Sequence, residues 1–300
     1  MDTPSPILAA RLYAFFAPRR AVAWRRVPGG YTSNDHWVVT LDDGSTRFVK
    51  VAAGARTAAW LRAEYRVYSQ LDVSFMPGLR GWMDDNRAPF LVLEDLSAAS
   101  WPPPWDQERV DAVRHTLDLL HSTSLDLPKL TPESGEALGG WRTVSKDPYA
   151  FLSTGLCSRA WLDHALPLLI KAADAAPLEG NALVHLDVRS DNLCFDGHRT
   201  VFVDWNRAAR GNPTMDLALW APSLHAEGGP APEELLPDAP EWAALVSGQL
   251  ATRAGETAMR DAERVRRFQM DQLQVALPWA VRSLSLPPLD GWPKAEQVPA

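Results

Sequence analysis

The sequence predicts an α+β protein of two lobes: a strand-rich first lobe (residues 1–96), an antiparallel sheet with one helix, and a mainly helical second lobe (residues 97–300). Three observations carry this prediction. β-rich runs crowd into residues 22–52 and 89–98, and apolar residues at helical spacing dominate from residue 107 onward. Between them "SWPPPW", residues 100–105, punctuates the chain with three prolines that favour extended polyproline geometry. The 300 residues are enough to build real cores in both lobes.

Each element follows in order. "MDTPSPILAARLYAFFAPRR" holds a short apolar patch, but Asp2 precedes it, Arg11 interrupts it, and no small-residue cleavage site follows. It reads as an amphipathic helix and not as a signal peptide. "PGGYTSND" is a Gly-Gly loop entering a strand. "HWVVTL" and "TRFVKVA" flank "DDGS", a hairpin turn in which Gly44 supplies positive φ. "TAAWLRAEYRVYSQL", residues 57–71, places Trp60, Ala63, Val67 and Leu71 at helical spacing, with Glu64 beside that stripe. "PFLVLEDLSA", residues 89–98, is an apolar strand that ends in acidic and small residues. "VDAVRHTLDLLHSTSL" then sets Val110, Val113, Leu117 and Leu120 on one helical face, and residues 158–176 and 240–284 are helical too. Strands return around 183–204, in "LVHL", "NLCF" and "TVFVDW".

Composition narrows the partners. Formal charge is 30 − 37 = −7, which argues against nucleic acid, because neutralising phosphates needs a basic stripe. No 18-residue apolar run exists, so no membrane span is expected. The two cysteines, Cys157 and Cys194, imply no disulfide framework, and a reducing cytoplasm is the expected compartment. Nothing in the sequence speaks to the oligomeric state.

The chemistry concentrates in "VHLDVRSDNLCFDG", residues 184–197, where His185, Asp187, Arg189, Asp191 and Asn192 crowd between apolar patches. Five further features stand in order around this stretch. They are the Gly29–Gly30 loop, Lys50 on the third strand, Glu64 on the next helix, the apolar strand into Glu94–Asp95–Leu96, and Asp204 ending the strand "VFVDW". Individually they have plain alternatives: a strand-edge lysine, a solvated glutamate, a simple turn.

Together they resemble the kinase arrangement, and more specifically the aminoglycoside phosphotransferase and choline kinase group of small-molecule kinases, over roughly residues 20–225. That resemblance implies a protein kinase-like two-lobe fold, ATP or GTP as phosphate donor and Mg2+ as the metal. It also implies roles. Gly29, Gly30 and Ser33 cover the phosphates, Lys50 held by Glu64 binds them, and backbone near Glu94, Asp95 and Leu96 takes the base. Asn192 and Asp204 offer the oxygen ligands that a hard cation prefers. Asp187 orients the acceptor hydroxyl and accepts its proton, and Arg189 reaches the γ-phosphate as a planar fork suited to bidentate contact. His185 is a loop-shaping spacer, and Asp216 supports the loop.

The segment from Asp204 to Asp216 is 12 residues, too short for an activation loop with a peptide-docking segment, and no Ala-Pro-Glu follows. The acceptor is therefore expected to be a hydroxyl of a small molecule. An aminoglycoside or other antibiotic leads, then a choline-like amine or a sugar. A nucleotide-binding scaffold without catalysis is the reading from another class. The pattern departs from the group at Asn206, where relatives often carry an acid, and in lacking a full Gly-x-Gly-x-x-Gly loop.

Overall fold

The computed structural model describes residues 3–27, 34–85, 88–131, 140–254 and 263–291. They form two compact units, each discontinuous in sequence. The first comprises residues 1–103, 111–125 and 187–208, and the second residues 104–110, 126–186 and 209–300.

In the first unit, helix α1 (Pro6–Phe16) opens with Ser5, whose hydroxyl accepts from the Leu8 N–H, and buries Leu8 and Leu12. A five-stranded antiparallel sheet follows, in the order β1 (Ala21–Arg26), β2 (Asp35–Leu41), β3 (Thr46–Val51), β5 (Phe90–Leu93), β4 (Leu79–Met83). The β2–β3 turn places Gly44 at φ +82°, as the "DDGS" signal predicts. β3 lies between β2 and β5, with Lys50 opposite His36 on one side and Leu91 on the other. Leu8, Leu12, Trp37, Val39, Val49 and Phe90 belong to the core that α1 shares with the sheet.

Helix α2 (Ala55–Tyr68) is capped from within its first turn by Thr57, whose hydroxyl accepts from the Ala53 and Gly54 N–H groups at 3.0 Å. Its buried face is Thr57, Ala58, Leu61, Glu64, Val67 and Tyr68. This corrects the expected stripe. Trp60 is exposed, Leu71 lies beyond the helix, and Glu64 is inside. Both stripes satisfy a 3.6-residue period, and what separates them is a partner for a buried carboxylate.

The same unit holds most of α3 (Gln107–Ser122), with Val113, Leu117 and Leu120 buried as expected. It also holds a short hairpin of β7 (Leu193–Asp196) and β8 (Arg199–Phe202), turned by Gly197 at φ +60°.

The second unit is mainly helical. It contains α4 (Trp141–Lys146), α5 (Tyr149–Leu152), α6 (Arg159–Asp174), α7 (Thr214–Ala226), α8 (Pro232–Leu235), α9 (Pro240–Ala254) and α10 (Glu263–Ser283). The helical stretch expected over 240–284 is thus two helices, α9 and α10. A two-stranded sheet of β6 (Ala182–Val184) and β9 (Ala209–Gly211) completes the unit. Its core contains Trp141, Trp161, Leu169, Trp242, Leu273 and Trp279. Trp105 packs edge-on against Trp220 at 5.5 Å and donates Nε1–H to Glu227 at 2.8 Å. No helix among the described residues is long and apolar enough to cross a membrane.

Candidate functional site

Lys50 is the fifth residue of a central strand, and only 7% of its surface is exposed. A lysine cannot sit there unpaired. Its ammonium contacts both oxygens of Glu64, at 2.8 and 3.0 Å, and Oδ1 of Asp204 at 3.1 Å. Glu64 is 1% exposed and also accepts a hydrogen bond from the backbone N–H of Trp205. All of these residues lie in the first unit, 154 positions separating Lys50 from Asp204.

One cation thus faces two carboxylates. Burial by itself would lower the Lys50 ammonium, but Asp204 and then Glu64 offset it and hold the group above its ordinary range. Burial pushes the Glu64 carboxyl up to about 7, against the pull of Lys50 and with the help of Asp204. The cluster holds one negative charge more than its cation neutralises, which raises both groups, but for Glu64 burial is the larger cause.

Asp204 follows β8 after one intervening residue, Val203, and adopts a left-handed backbone, φ 68° and ψ 56°. For a residue with a side chain this is uncommon and persists only where the surroundings impose it. Here the next residue is firmly anchored. Trp205 is fully buried, donates Nε1–H to the Phe202 carbonyl at 2.9 Å, and packs against Phe75 at 6.1 Å. The Asn206 amide donates to Asp204 Oδ1 at 2.9 Å.

The loop from Asp187 to Asn192 sits beside Asp204, because Val203 N–H donates to the Asn192 carbonyl at 2.9 Å. Asn192 is 4% exposed and gives both amide hydrogens to Asp187, one to its backbone carbonyl and one to Oδ2, each at 2.9 Å. The amide oxygen therefore points away from Asp187. Arg189 donates to Asp191 at 2.9 and 3.3 Å and lies 3.5 Å from Asp187, while Arg207 approaches Asp187 at 4.0 Å. In the second unit, fully buried Asp216 accepts from the backbone N–H groups of His185 and Leu186, at 2.9 and 2.7 Å. Leu186 itself is left-handed, φ 64°.

The oxygens of Asn192 and Asp204 are hard donors. Among the described residues, no group of three or more His, Cys, Asp or Glu is placed to hold a metal. A pair of protein oxygens fits magnesium, which takes one or two protein ligands and completes its shell with phosphate and water.

The structure brings Lys50, Glu64, Asp187, Arg189, Asn192 and Asp204 into one unit. Gly29, Gly30 and Ser33 lie outside the described residues. Glu94, Asp95 and Leu96 follow β5, but their side chains serve the chain itself. Glu94 accepts from Gly78 N–H at 2.9 Å and from Arg199 at 2.7 Å, and its own N–H donates to the Gly78 carbonyl. Asp95 accepts from the Ser97 N–H, and Leu96 is buried with Cys194 and Val201. Sequence reasoning missed Arg199, Arg207 and the Trp205 amide. Only Arg199 had a signal: the Asp-Gly turn of its hairpin places Asp196 and Arg199 opposite each other.

A model of the phosphotransferase enzyme family APH matches residues 23–277. No curated protein sequence matches significantly. Among solved structures, the chain is similar to a macrolide 2'-phosphotransferase type I, at 18% identity, 94% coverage of each chain and a TM-score of 0.51. It is also similar to amicoumacin kinase hAmiN in complex with AMP-PNP, Ca2+ and Ami, at 10% identity, 90% and 94% coverage and a TM-score of 0.53. A third similar structure is choline kinase from Cryptosporidium parvum Iowa II, at 10% identity, 94% and 95% coverage and a TM-score of 0.53.

Proposed function

The chain belongs to the phosphotransferase enzyme family APH, and we propose that it moves the γ-phosphate of ATP or GTP, with Mg2+, to a hydroxyl of a small molecule. The observation that carries this reading is the Lys50 ammonium fixed by Glu64 and Asp204, in the same unit as the Asp187–Asn192 hydrogen bonds. A buried, oriented cation binds phosphate without reorganising, and a carboxylate held by an amide keeps one orientation toward a hydroxyl. In this reading Lys50 binds the phosphates, while Asp187 orients the acceptor and takes its proton. Arg189 leaves its acidic partners to meet the γ-phosphate. Asn192 and Asp204 would hold the magnesium ion, which when bound supplies positive charge against the phosphates. The Glu94 N–H is already used by Gly78, so base contacts fall to the Glu94 carbonyl and the backbone of Asp95 and Leu96.

The proposed acceptor is an aminoglycoside or other antibiotic, with a choline-like amine or a sugar next. Similar folds named for a macrolide, for amicoumacin and for choline set the panel rather than choose within it. The test is phosphate transfer from Mg-ATP and Mg-GTP across antibiotics, choline and sugars. Transfer to at least one hydroxyl is expected. Mg-nucleotide binding with no transfer to any member would replace the enzyme with a nucleotide-binding scaffold, and absence of nucleotide binding would overturn the reading altogether.

A further inference from the structure

Three contacts within the first unit stitch the segment after β5 to the β7–β8 hairpin. At the hairpin turn, Arg199 Nη2 donates to Glu94 Oε1 at 2.7 Å and also to the carboxylate of Asp196. Glu94 is held from its other side by the Gly78 N–H. Next, Leu96 packs on Cys194 and Val201, with Ala99 and Val203 against them. Last, Ser100 and Phe195 exchange both backbone hydrogen bonds, at 2.9 and 2.8 Å.

The hairpin has two ends. Its turn end, Asp196 opposite Arg199, carries the link to Glu94. Its open end, Leu193 opposite Phe202, runs straight into Asn192 on one strand and, through Val203, into Asp204 on the other. Four paired residues span about 10 Å at 3.3 Å per step. We propose that Arg199 is a positioning residue for the nucleotide: it latches the segment that reads the base to the hairpin that carries the metal ligands, so that base and phosphate subsites are presented at one fixed span. This rests on the phosphotransferase reading above. The other two contacts align hairpin and segment, but only Arg199 ties them through a charge, one guanidinium nitrogen shared between two carboxylates, one on each element.

A latch of this kind has a signature that a merely structural residue lacks. It couples the two ends of the ligand, because binding at one end prepays the placement of the other. The experiment is calorimetric titration of AMP-PNP with and without Mg2+, on wild type, Arg199→Met, Arg199→Lys and Arg282→Met. The last removes an exposed pair with Glu233 in the second unit, and its titrations should match wild type. Arg199→Met is expected to weaken Mg–AMP-PNP by about 3- to 10-fold. The factor by which Mg2+ tightens AMP-PNP should fall with it, and Arg199→Lys should restore part of both. Equal weakening with and without Mg2+, or none in either, overturns the latch. Wild type that fails to bind Mg–AMP-PNP overturns the phosphotransferase reading instead.

Discussion

The cluster around Lys50 sets one cation against two carboxylates, the cluster around Asp187 sets Arg189 and the more distant Arg207 against two, and the Lys50–Glu64 pair is the more deeply buried. Lys50 and Glu64 have side chains 9% and 2% exposed, with Asp204 at 26% on the rim of the cluster, against 19%, 18% and 40% for Arg189, Asp187 and Asp191. A buried pair is locked, because removing either partner strands a desolvated charge. A partly exposed pair exchanges partners at lower cost, since water and salt screen it in part. The locked cluster suits holding phosphates in one place. The open one suits a step in which groups must move, a proton leaving a hydroxyl and an arginine turning to a phosphate.

Each variant below tests that contrast, beginning with the largest effect. Asp187→Asn keeps the shape of the loop and removes the carboxylate. Mg-nucleotide affinity should survive, while single-turnover transfer falls roughly 10²–10⁴-fold. Unchanged transfer would remove Asp187 from the chemistry. Lys50→Ala leaves Glu64 and Asp204 without their shared cation. A loss of about 3–5 kcal/mol is expected by denaturant titration, with nucleotide affinity and turnover falling together. Affinity and rate within twofold of wild type would make Lys50 a bystander.

The pH dependence probes the excess charge. Burial raises Glu64 from an ordinary value of 4.5 to about 7 in the folded protein. Between these values the folded state holds a proton that the unfolded state has released. The stability this proton contributes is therefore full below pH 4.5 and is lost as pH rises through 7, at most about 3 kcal/mol. Glu64→Gln should flatten that limb of the stability profile, and a profile that keeps its slope would place the titration elsewhere. The smallest effect belongs to Asn206→Ala, which removes one of the donors on Asp204 Oδ1. The Mg2+ concentration for half-maximal rate should shift by about 2- to 5-fold. A shift of about 10-fold or more would mean that Asn206 does more than orient its neighbour.

What could be read from the sequence is local. Lys50 at the third strand, the spacing of His185, Asp187 and Asn192, and Asp204 at a strand end all follow from periods and motifs within a few residues, where backbone sterics and alternation leave few choices. The turn glycine at 44 is legible for the same reason. Helix α2 marks the limit. Its sequence supports two apolar stripes one residue apart, and the choice between them depends on Lys50, fourteen positions upstream.

The tertiary structure alone decided the contacts between distant segments. Lys50 meets Asp204 across 154 residues, Glu94 meets Arg199 across 105, and residues 187–208 join the unit built on the N-terminal sheet. None has a periodic trace, because each closes a long loop whose entropy cost is offset by burying apolar groups and by pairing the charges with hydrogen bonds rather than by any local preference. So the chain's letters determined which groups were available for chemistry. Packing determined that Glu64 lies dry against the lysine while Asp187 stays partly exposed, since burial is a property of the assembled fold.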